Sequence, residues 1–185
     1  MKKTIKSLII VCFSTSQILF CSLPSHANNN ALPQVGVSAI IDSITEDQAK
    51  IAYAEYLDNL LKQEEIRLMS SIIYCEAGNQ CEAGKQAVGI VVMNRVASND
   101  FKNDIQSVIY EPNQFSPVTD GSLVKALAMY DEGGLPQECI DAALYCLDNN
   151  KTVIYNGIEI DMSPYLFFSR NLKNERITIQ DHEFR

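Results

Sequence analysis

Histidine is nearly absent from this 185-residue chain: His26 and His182 are the only two. A multi-histidine metal centre is excluded by that count, since such sites draw on several imidazoles. Cationic residues are also short, with Lys+Arg 15 against Asp+Glu 23 and a net charge of −8. No basic stripe is available to neutralise phosphates, which argues against a nucleic-acid partner. Long apolar runs are missing too. The best candidate, residues 8–20, is broken by Ser14, Thr15, Ser16 and Gln17 and falls short of the roughly 20 apolar residues of a membrane span. Internal repeats and low-complexity tracts are lacking as well. What remains, 46% hydrophobic and 21% charged residues, is a globular composition sized for one domain with modest appendages.

Residues 1–27 have the layout of a secretory signal peptide. Lys2, Lys3 and Lys6 form a basic start, Leu8–Phe13 and Ile18–Cys21 an apolar middle, and Ser25-His26-Ala27 a small-residue cleavage site. Removal of this segment takes away three lysines and no acid, which moves the net charge from −8 to −11. It leaves one histidine, His182, and four cysteines, Cys75, Cys81, Cys139 and Cys146. The expected product is secreted and free of the membrane. An even cysteine count in an oxidising compartment points to disulfides. With residues 137–148 helical, Cys139 and Cys146 stand about 10.5 Å apart along the axis, beyond the reach of a disulfide at roughly 7 Å. The expected bridges therefore join 75/81 crosswise to 139/146, with Cys75–Cys139 and Cys81–Cys146 as the chosen arrangement.

Polar residues and Pro33 make 28–44 a lead-in, and Thr45-Glu-Asp-Gln48 fits a capping box that opens a helix to about Lys62. A second helix is predicted over 64–77, with Ile66, Met69, Ile72 and Ile73 as its buried stripe and Gly78-Asn79 as its stop. A third, over 83–96, is apolar almost all round, as a central helix would be. Residues 122–130 and 136–147 suggest two more helices. The period then changes. Thr152–Tyr155, Asn156-Gly157 and Ile158–Asp161 read as a type I′ hairpin, and 165–168 and 177–179 as two further strands. Helices followed by a small antiparallel sheet make an α+β domain. The expected organisation is a 1–27 signal, a 28–65 lead-in with its helix, and a 66–185 catalytic domain.

Glu76 is the candidate for chemistry. It falls in the last turn of a helix, whose C-terminus carries roughly −0.5 of an elementary charge. That field, together with desolvation by Tyr74, Cys75 and Ala77, disfavours the anion and raises the pKa. A carboxyl group that keeps its proton near neutrality is what general-acid cleavage of an acetal requires. The competing reading is a solvated acid at a helix end.

The strings Ile73-Tyr-Cys-Glu-Ala-Gly-Asn-Gln80, Ala87-Val88-Gly89 and Val91-Val-Met-Asn-Arg-Val96 closely resemble the SleB/CwlJ family of cell wall hydrolases. Val108-Ile109-Tyr110, Gln114-Phe115-Ser116, Ala142-Ala143, Leu166-Phe167-Phe168 and Ile179…His182…Phe184 continue the likeness over about 66–185. It looks most like the clostridial secreted branch. The resemblance implies a lysozyme-like α+β fold and cleavage of peptidoglycan glycan strands between N-acetylmuramic acid and N-acetylglucosamine, described as lytic transglycosylation, with Glu76 in the place of the catalytic glutamate. It carries a link to germination in some relatives. Neither a metal nor an organic cofactor is implied, and the chain is expected to act as a monomer.

The sequence departs from the family pattern at two positions: Gly78 replaces an arginine, and Gln80 replaces a second glutamate. The second departure demotes a hydrolytic two-carboxylate site, for which Glu82, Glu111 and Asp120 remain candidate partners. Asn94 and Arg95 are candidates for meeting the sugar N-acetyl groups, or else for capping and ion pairing. Gln114 and Phe115 are expected to line the groove. One of Phe167 and Phe168 should pack inward, with Phe168 and Tyr165 placed among the substrate-binding residues. His182 is either a further contact or a hydrogen-bonded structural residue. Two other classes compete: a cysteine peptidase, which would have to pair a thiolate with His182, and a secreted wall-binding module without activity.

Overall fold

The computed structural model describes residues 46–185. The expected signal peptide, the lead-in and the residues Cys12, Cys21 and His26 lie outside them. The chain divides into two compact units at Leu61/Lys62, four residues before the boundary expected from sequence. Helix α1, Glu46–Ala77, is one element of 32 residues rather than two. No glycine or proline interrupts it, and Lys62-Gln-Glu-Glu65 are strong helix formers, so the helix runs through the break expected between residues 62 and 64. In its first half Ile51, Tyr53, Leu57, Leu60 and Leu61 are exposed. From Lys62 onward it becomes a core helix: Leu68, Met69, Ile72 and Ile73 are buried at helical spacing.

Helix α2, Glu82–Ala97, follows after a four-residue turn and buries Ala87 through Val92 without a break. It is the central helix that its composition predicts. Short helices α3 (Ile105–Ile109) and α4 (Ser116–Asp120) occupy ground that reads from sequence as loop. At five residues each they are too short for a periodic signal. Asp104 caps α3 by accepting from the Ser107 amide at 2.7 Å. Helices α5 (Ser122–Asp131) and α6 (Gln137–Leu147) lie where expected. One core cluster joins α1, α3, α5 and α6. A second joins the other side of α2 to the strands, and Phe168 and Met93 pack against both.

The C-terminal third holds two small antiparallel sheets. Strands β1 (Thr152–Tyr155) and β2 (Ile158–Asp161) form the hairpin in the register Val153↔Ile160. Asn156 and Gly157 have φ of 52° and 76°, the left-handed pair that a type I′ turn demands. Strands β3 (Phe168–Ser169), β4 (Ile177–Ile179) and β5 (His182–Phe184) form a sheet of order β3-β5-β4. β5 has no counterpart in the sequence reading, because His182-Glu183-Phe184 lacks the β-branched residues that mark Ile177-Thr178-Ile179. Strand β3 keeps only the last residue of the expected 165–168 strand.

The four cysteines are free thiols, in place of the two expected bridges. Cys75 packs on the cluster containing Cys139, and Cys81 on the cluster containing Cys146. The Cys146 sulfur is turned to α2, donating to the Gln86 carbonyl at 3.3 Å. Burial pushes the Cys75 thiol up to about 11 and that of Cys146 to about 12. Gly89 makes the α2–α6 approach feasible: a Cβ there would stand 2.6 Å from Cys146 Sγ and 2.9 Å from Ile73 Cδ1. Gly89→Ala should therefore lose about 1–2 kcal/mol in urea denaturation, because overpacking outweighs a helix-propensity gain of up to about 1 kcal/mol. Combining it with Cys146→Ala should recover most of the loss, a coupling that a double-mutant cycle measures. Additive effects would mean that the two helices do not meet at that point.

Candidate active site

Glu76 sits in the last turn of α1, where the chain must stop and reverse. Gly78 allows the reversal. Its amide donates to the Tyr74 carbonyl at 3.0 Å, and a Cβ on it would stand 2.5 Å from that same oxygen. The turn is then clamped from two sides. Gln80, buried, donates to Asp181 Oδ2 at 3.1 Å and accepts from the Asp181 amide at 3.2 Å. Lys85, also buried, donates to the Gln80 carbonyl at 2.7 Å. A glutamate at position 80 would set its carboxylate against that of Asp181, so the glutamine is the residue this geometry requires.

The Glu76 carboxyl is half-buried and its pKa is raised above 4.5. Burial is the main cause, the charge of Asp120 adds to it, and the charge of Arg95 works the other way. The orphan carbonyls of the helix end push in the same direction as burial. Asp120 is tuned oppositely. At the α4–α5 elbow it accepts from the Ser122 amide at 2.8 Å and the Ser122 hydroxyl at 2.5 Å, which holds it well below the usual carboxylate range. Gly121, at φ 80°, makes this elbow. The two carboxyl groups are within electrostatic reach and are pushed in opposite directions, Glu76 toward its protonated form and Asp120 toward its anion.

Arg95 is the third member. It is 4% exposed, donates from Nε to the Leu166 carbonyl at 2.8 Å, and has Phe101, Phe115 and Phe167 within 5.1, 5.1 and 5.6 Å of Cζ. Its charge interacts with Glu111 and Glu76. Nη1 is buried with no hydrogen-bond partner, and so is Glu111 Oε2.

The remaining expected contacts divide. Asn94 is fully occupied: Nδ2 donates to the Met162 and Tyr165 carbonyls at 2.8 and 3.0 Å, and Oδ1 accepts from Lys151 at 3.0 Å. It is a tie between α2 and the 162–165 segment rather than a sugar contact. Phe115 is 2% exposed and lies beneath Arg95, so it supports the site without lining a groove. Tyr165 is half-buried, edge-on to Phe184 at 6.4 Å, and is not the exposed aromatic that the sequence suggests. Phe168 is the inward ring of its pair, packed on Phe115, Phe184 and His182, and Phe167 is the exposed one. His182 is 4% exposed, edge-on to Phe168 at 5.4 Å, and burial lowers its pKa, with Nδ1 unpartnered. It is a core residue. Gln114 is exposed, as a groove residue would be. Phe101 escaped the sequence reading because it stands alone between turns, with no periodicity to give it a face. Among the described residues no group of three His, Cys, Asp or Glu side chains is placed to hold a metal ion.

A sequence profile described as Cell Wall Hydrolase matches residues 79–184, more than half of the chain. The chain belongs to the cell wall hydrolase family. The match begins three residues after Glu76, which therefore lies just outside it. The spore cortex-lytic enzyme of Bacillus cereus is 38% identical over 65 residues, covering 35% of this chain and 25% of that protein. That of Halalkalibacterium halodurans is 33% identical over 78 residues, 42% of this chain and 24% of that protein. The chain thus matches about a quarter of the length of these relatives. Among solved structures, the catalytic domain of the germination-specific lytic transglycosylase SleB from Bacillus anthracis superposes with a TM-score of 0.51 at 22% identity, over 66% of this chain and 93% of that one. The Bacillus cereus SleB catalytic domain gives 0.51 at 23%, over 66% and 89%. The fold is accordingly the lysozyme-like α+β fold of those domains.

Two outcomes test the electrostatics of the family member's site. The folded state holds the Glu76 proton more tightly than the unfolded chain does. Stability from this group is therefore greatest below 4.5 and falls as pH rises through the raised folded value. Glu76→Gln has no ionisation for folding to disfavour, so its melting temperature should exceed that of the parent at pH 7, with the advantage fading below the ordinary carboxyl range. Asp120→Asn should lower the Glu76 pKa and shift the alkaline limb of any activity profile to lower pH. An unmoved limb would show that Asp120 does not act on Glu76.

Proposed function

We propose that the chain is an exported enzyme that cleaves peptidoglycan glycan strands between N-acetylmuramic acid and N-acetylglucosamine, acting as a lytic transglycosylase with Glu76 as its single acid and base. One observation carries this reading: a carboxyl whose pKa is raised by burial and by a neighbouring anion, at a helix end that leads into the cell wall hydrolase match. The protonated carboxyl donates to the glycosidic oxygen as the bond to the muramic C1 breaks, and the departing N-acetylglucosamine keeps that proton as its new hydroxyl. Positive charge then grows on C1 and the ring oxygen. Asp120, fixed as an anion by Ser122, stabilises that charge across the site. The Glu76 carboxylate next takes the proton of the muramic 6-hydroxyl, whose oxygen closes on C1 to give a 1,6-anhydro ring. The acid is thereby regenerated without water.

Family membership supports the wall polymer as substrate, and the signal-like residues 1–27 support export to it. The relatives' descriptions name spore cortex. For this chain, digestion of cortex and vegetative murein side by side decides between the two. The second reading, hydrolysis, is favoured by the same Glu76–Asp120 coupling, because an ionised second carboxylate can activate water instead. Mass spectrometry of the released muropeptides separates the two: anhydro-muramyl ends are expected, and reducing ends formed with added water would establish hydrolysis. Glu76→Gln should lower cleavage at least a hundredfold, the scale of a lost general acid. A variant keeping more than a few per cent of activity would remove Glu76 from the chemistry.

A further inference from the structure

A cleft of about 410 Å³ opens beside the start of β3, lined by Pro164, Leu166, Phe167, Asn174, Arg176 and Arg185. Its size falls in the range of small-ligand sites. Its lining holds two guanidinium groups and no acidic side chain, in a chain where acids outnumber bases 23 to 15. The backbone around it is fixed. The Arg176 amide donates to the Phe184 carbonyl at 2.9 Å, and the amides of Leu166 and Phe167 both donate to Arg185 O at 3.0 Å. Asn174 turns the β3–β4 connection at φ 60°. Arg185 is partly committed, with Nη1 on the Lys173 carbonyl at 3.1 Å and Cζ 5.2 Å from the Phe167 ring. The Arg176 guanidinium is exposed and has no hydrogen-bond or ion-pair partner among the described residues.

The cleft joins the catalytic group through one ring. Phe167 is 37% exposed and has both Arg185, at 5.2 Å, and Arg95, at 5.6 Å, on its ring, and Arg95 interacts electrostatically with Glu76. We propose that this cleft is a subsite for the peptide stem of peptidoglycan, in which Arg176 and Arg185 receive stem carboxylates and Phe167 packs on the stem's aliphatic parts. The proposal rests on the glycan-cleaving reading and deepens it. The stem leaves the muramic residue whose C1 is attacked. At about 3.3–3.6 Å per residue, three to five residues reach roughly 10–18 Å from the lactyl group, a span longer than the 5.6 Å that separates Arg95 Cζ from the Phe167 ring. Guanidinium groups suit carboxylates because their paired donors match two oxygens at once.

Two measurements on the purified full chain test this. The first is titration of a soluble stem tetrapeptide, and of the same peptide with its carboxylates amidated, followed through the amide resonances of Leu166, Phe167 and Arg176. Saturable shifts with the acid form, at least tenfold weaker with the amidated form and in Arg176→Ala, are expected, with partial recovery in Arg176→Lys. Equal binding of the two peptides, or no saturation, would overturn the proposal. The second compares peptide-bearing murein with glycan strands stripped of stems by an amidase. The ratio of kcat/KM between them should fall about tenfold in Arg176→Ala, mainly through KM, and an unchanged ratio would count against the subsite. Peptide binding should persist in Glu76→Gln, so a failure of the cleavage reading leaves the titration standing, and an empty cleft leaves cleavage standing.

Discussion

A buried guanidinium ties the fold of this protein to its chemistry. Arg95 ends the central helix α2, and there a cation must lie in the core among three phenylalanine rings. A charge in that position is costly unless it is bonded and paired. The structure answers with the Leu166 carbonyl on Nε and with the nearby charges of Glu111 and Glu76. Each answer constrains something else. Holding the Leu166 carbonyl fixes the chain just before β3. Seating Phe115 and Phe167 on the guanidinium orders the entry to α4 and the only large exposed ring of the third that carries the strands' aromatic pair. The charge left over falls on the carboxyl expected to do chemistry.

That carboxyl is held in a contest. Arg95 alone would draw Glu76 toward ionisation, as a partner cation ordinarily does. Burial, the Asp120 anion and the helix C-terminus all oppose it and prevail, so the pKa rises. The balance explains why the cation is spread over aromatic rings and a carbonyl rather than offered to Glu76 in a bidentate pair. A direct pair would lock the glutamate as an anion and forfeit the acid. It also explains Ser122: two hydrogen bonds on Asp120 keep the neighbour ionised, and without them the two carboxyl groups would share a proton less predictably. The stability forgone in half-burying a carboxyl of raised pKa fits the acid role proposed for Glu76.

Much of this was legible in the residues. The helix end at Gly78, the all-round apolar α2 and the Asn156-Gly157 hairpin follow from local rules, and the structure has all three. The direction of the Glu76 shift was also within reach, because a helix C-terminus and apolar neighbours are written beside it. Partners that sequence distance hides were not. Asn94 looks like a sugar ligand until its amide is found shared among Met162, Tyr165 and Lys151, 57 to 71 residues away. Phe167 and Phe168 alternate on paper, but which ring turns inward depends on Phe115 and His182. The break expected between residues 62 and 64 failed for the opposite reason: no glycine, proline or cap residue stands there, and uninterrupted helix propensity carries α1 through.

The turn after Glu76 shows how a local substitution propagates. With glycine at 78 the chain leaves α1 in a tight reversal that brings Gln80 under β4 and β5, and there its amide must serve both the backbone and the side chain of Asp181. An amide does this with a donor and an acceptor, whereas a carboxylate has acceptors alone and would repel Asp181. The same reversal leaves the Gln80 carbonyl pointing inward, and Lys85 is buried to meet it. Gly78, Gln80 and Lys85 therefore form one unit, and a change at any of them alone should be worse tolerated than a joint one. An acid removed from position 80 must then be sought elsewhere in the fold. The ionised carboxylate within electrostatic reach of Glu76 comes instead from Asp120, where a helix elbow and a serine keep it charged.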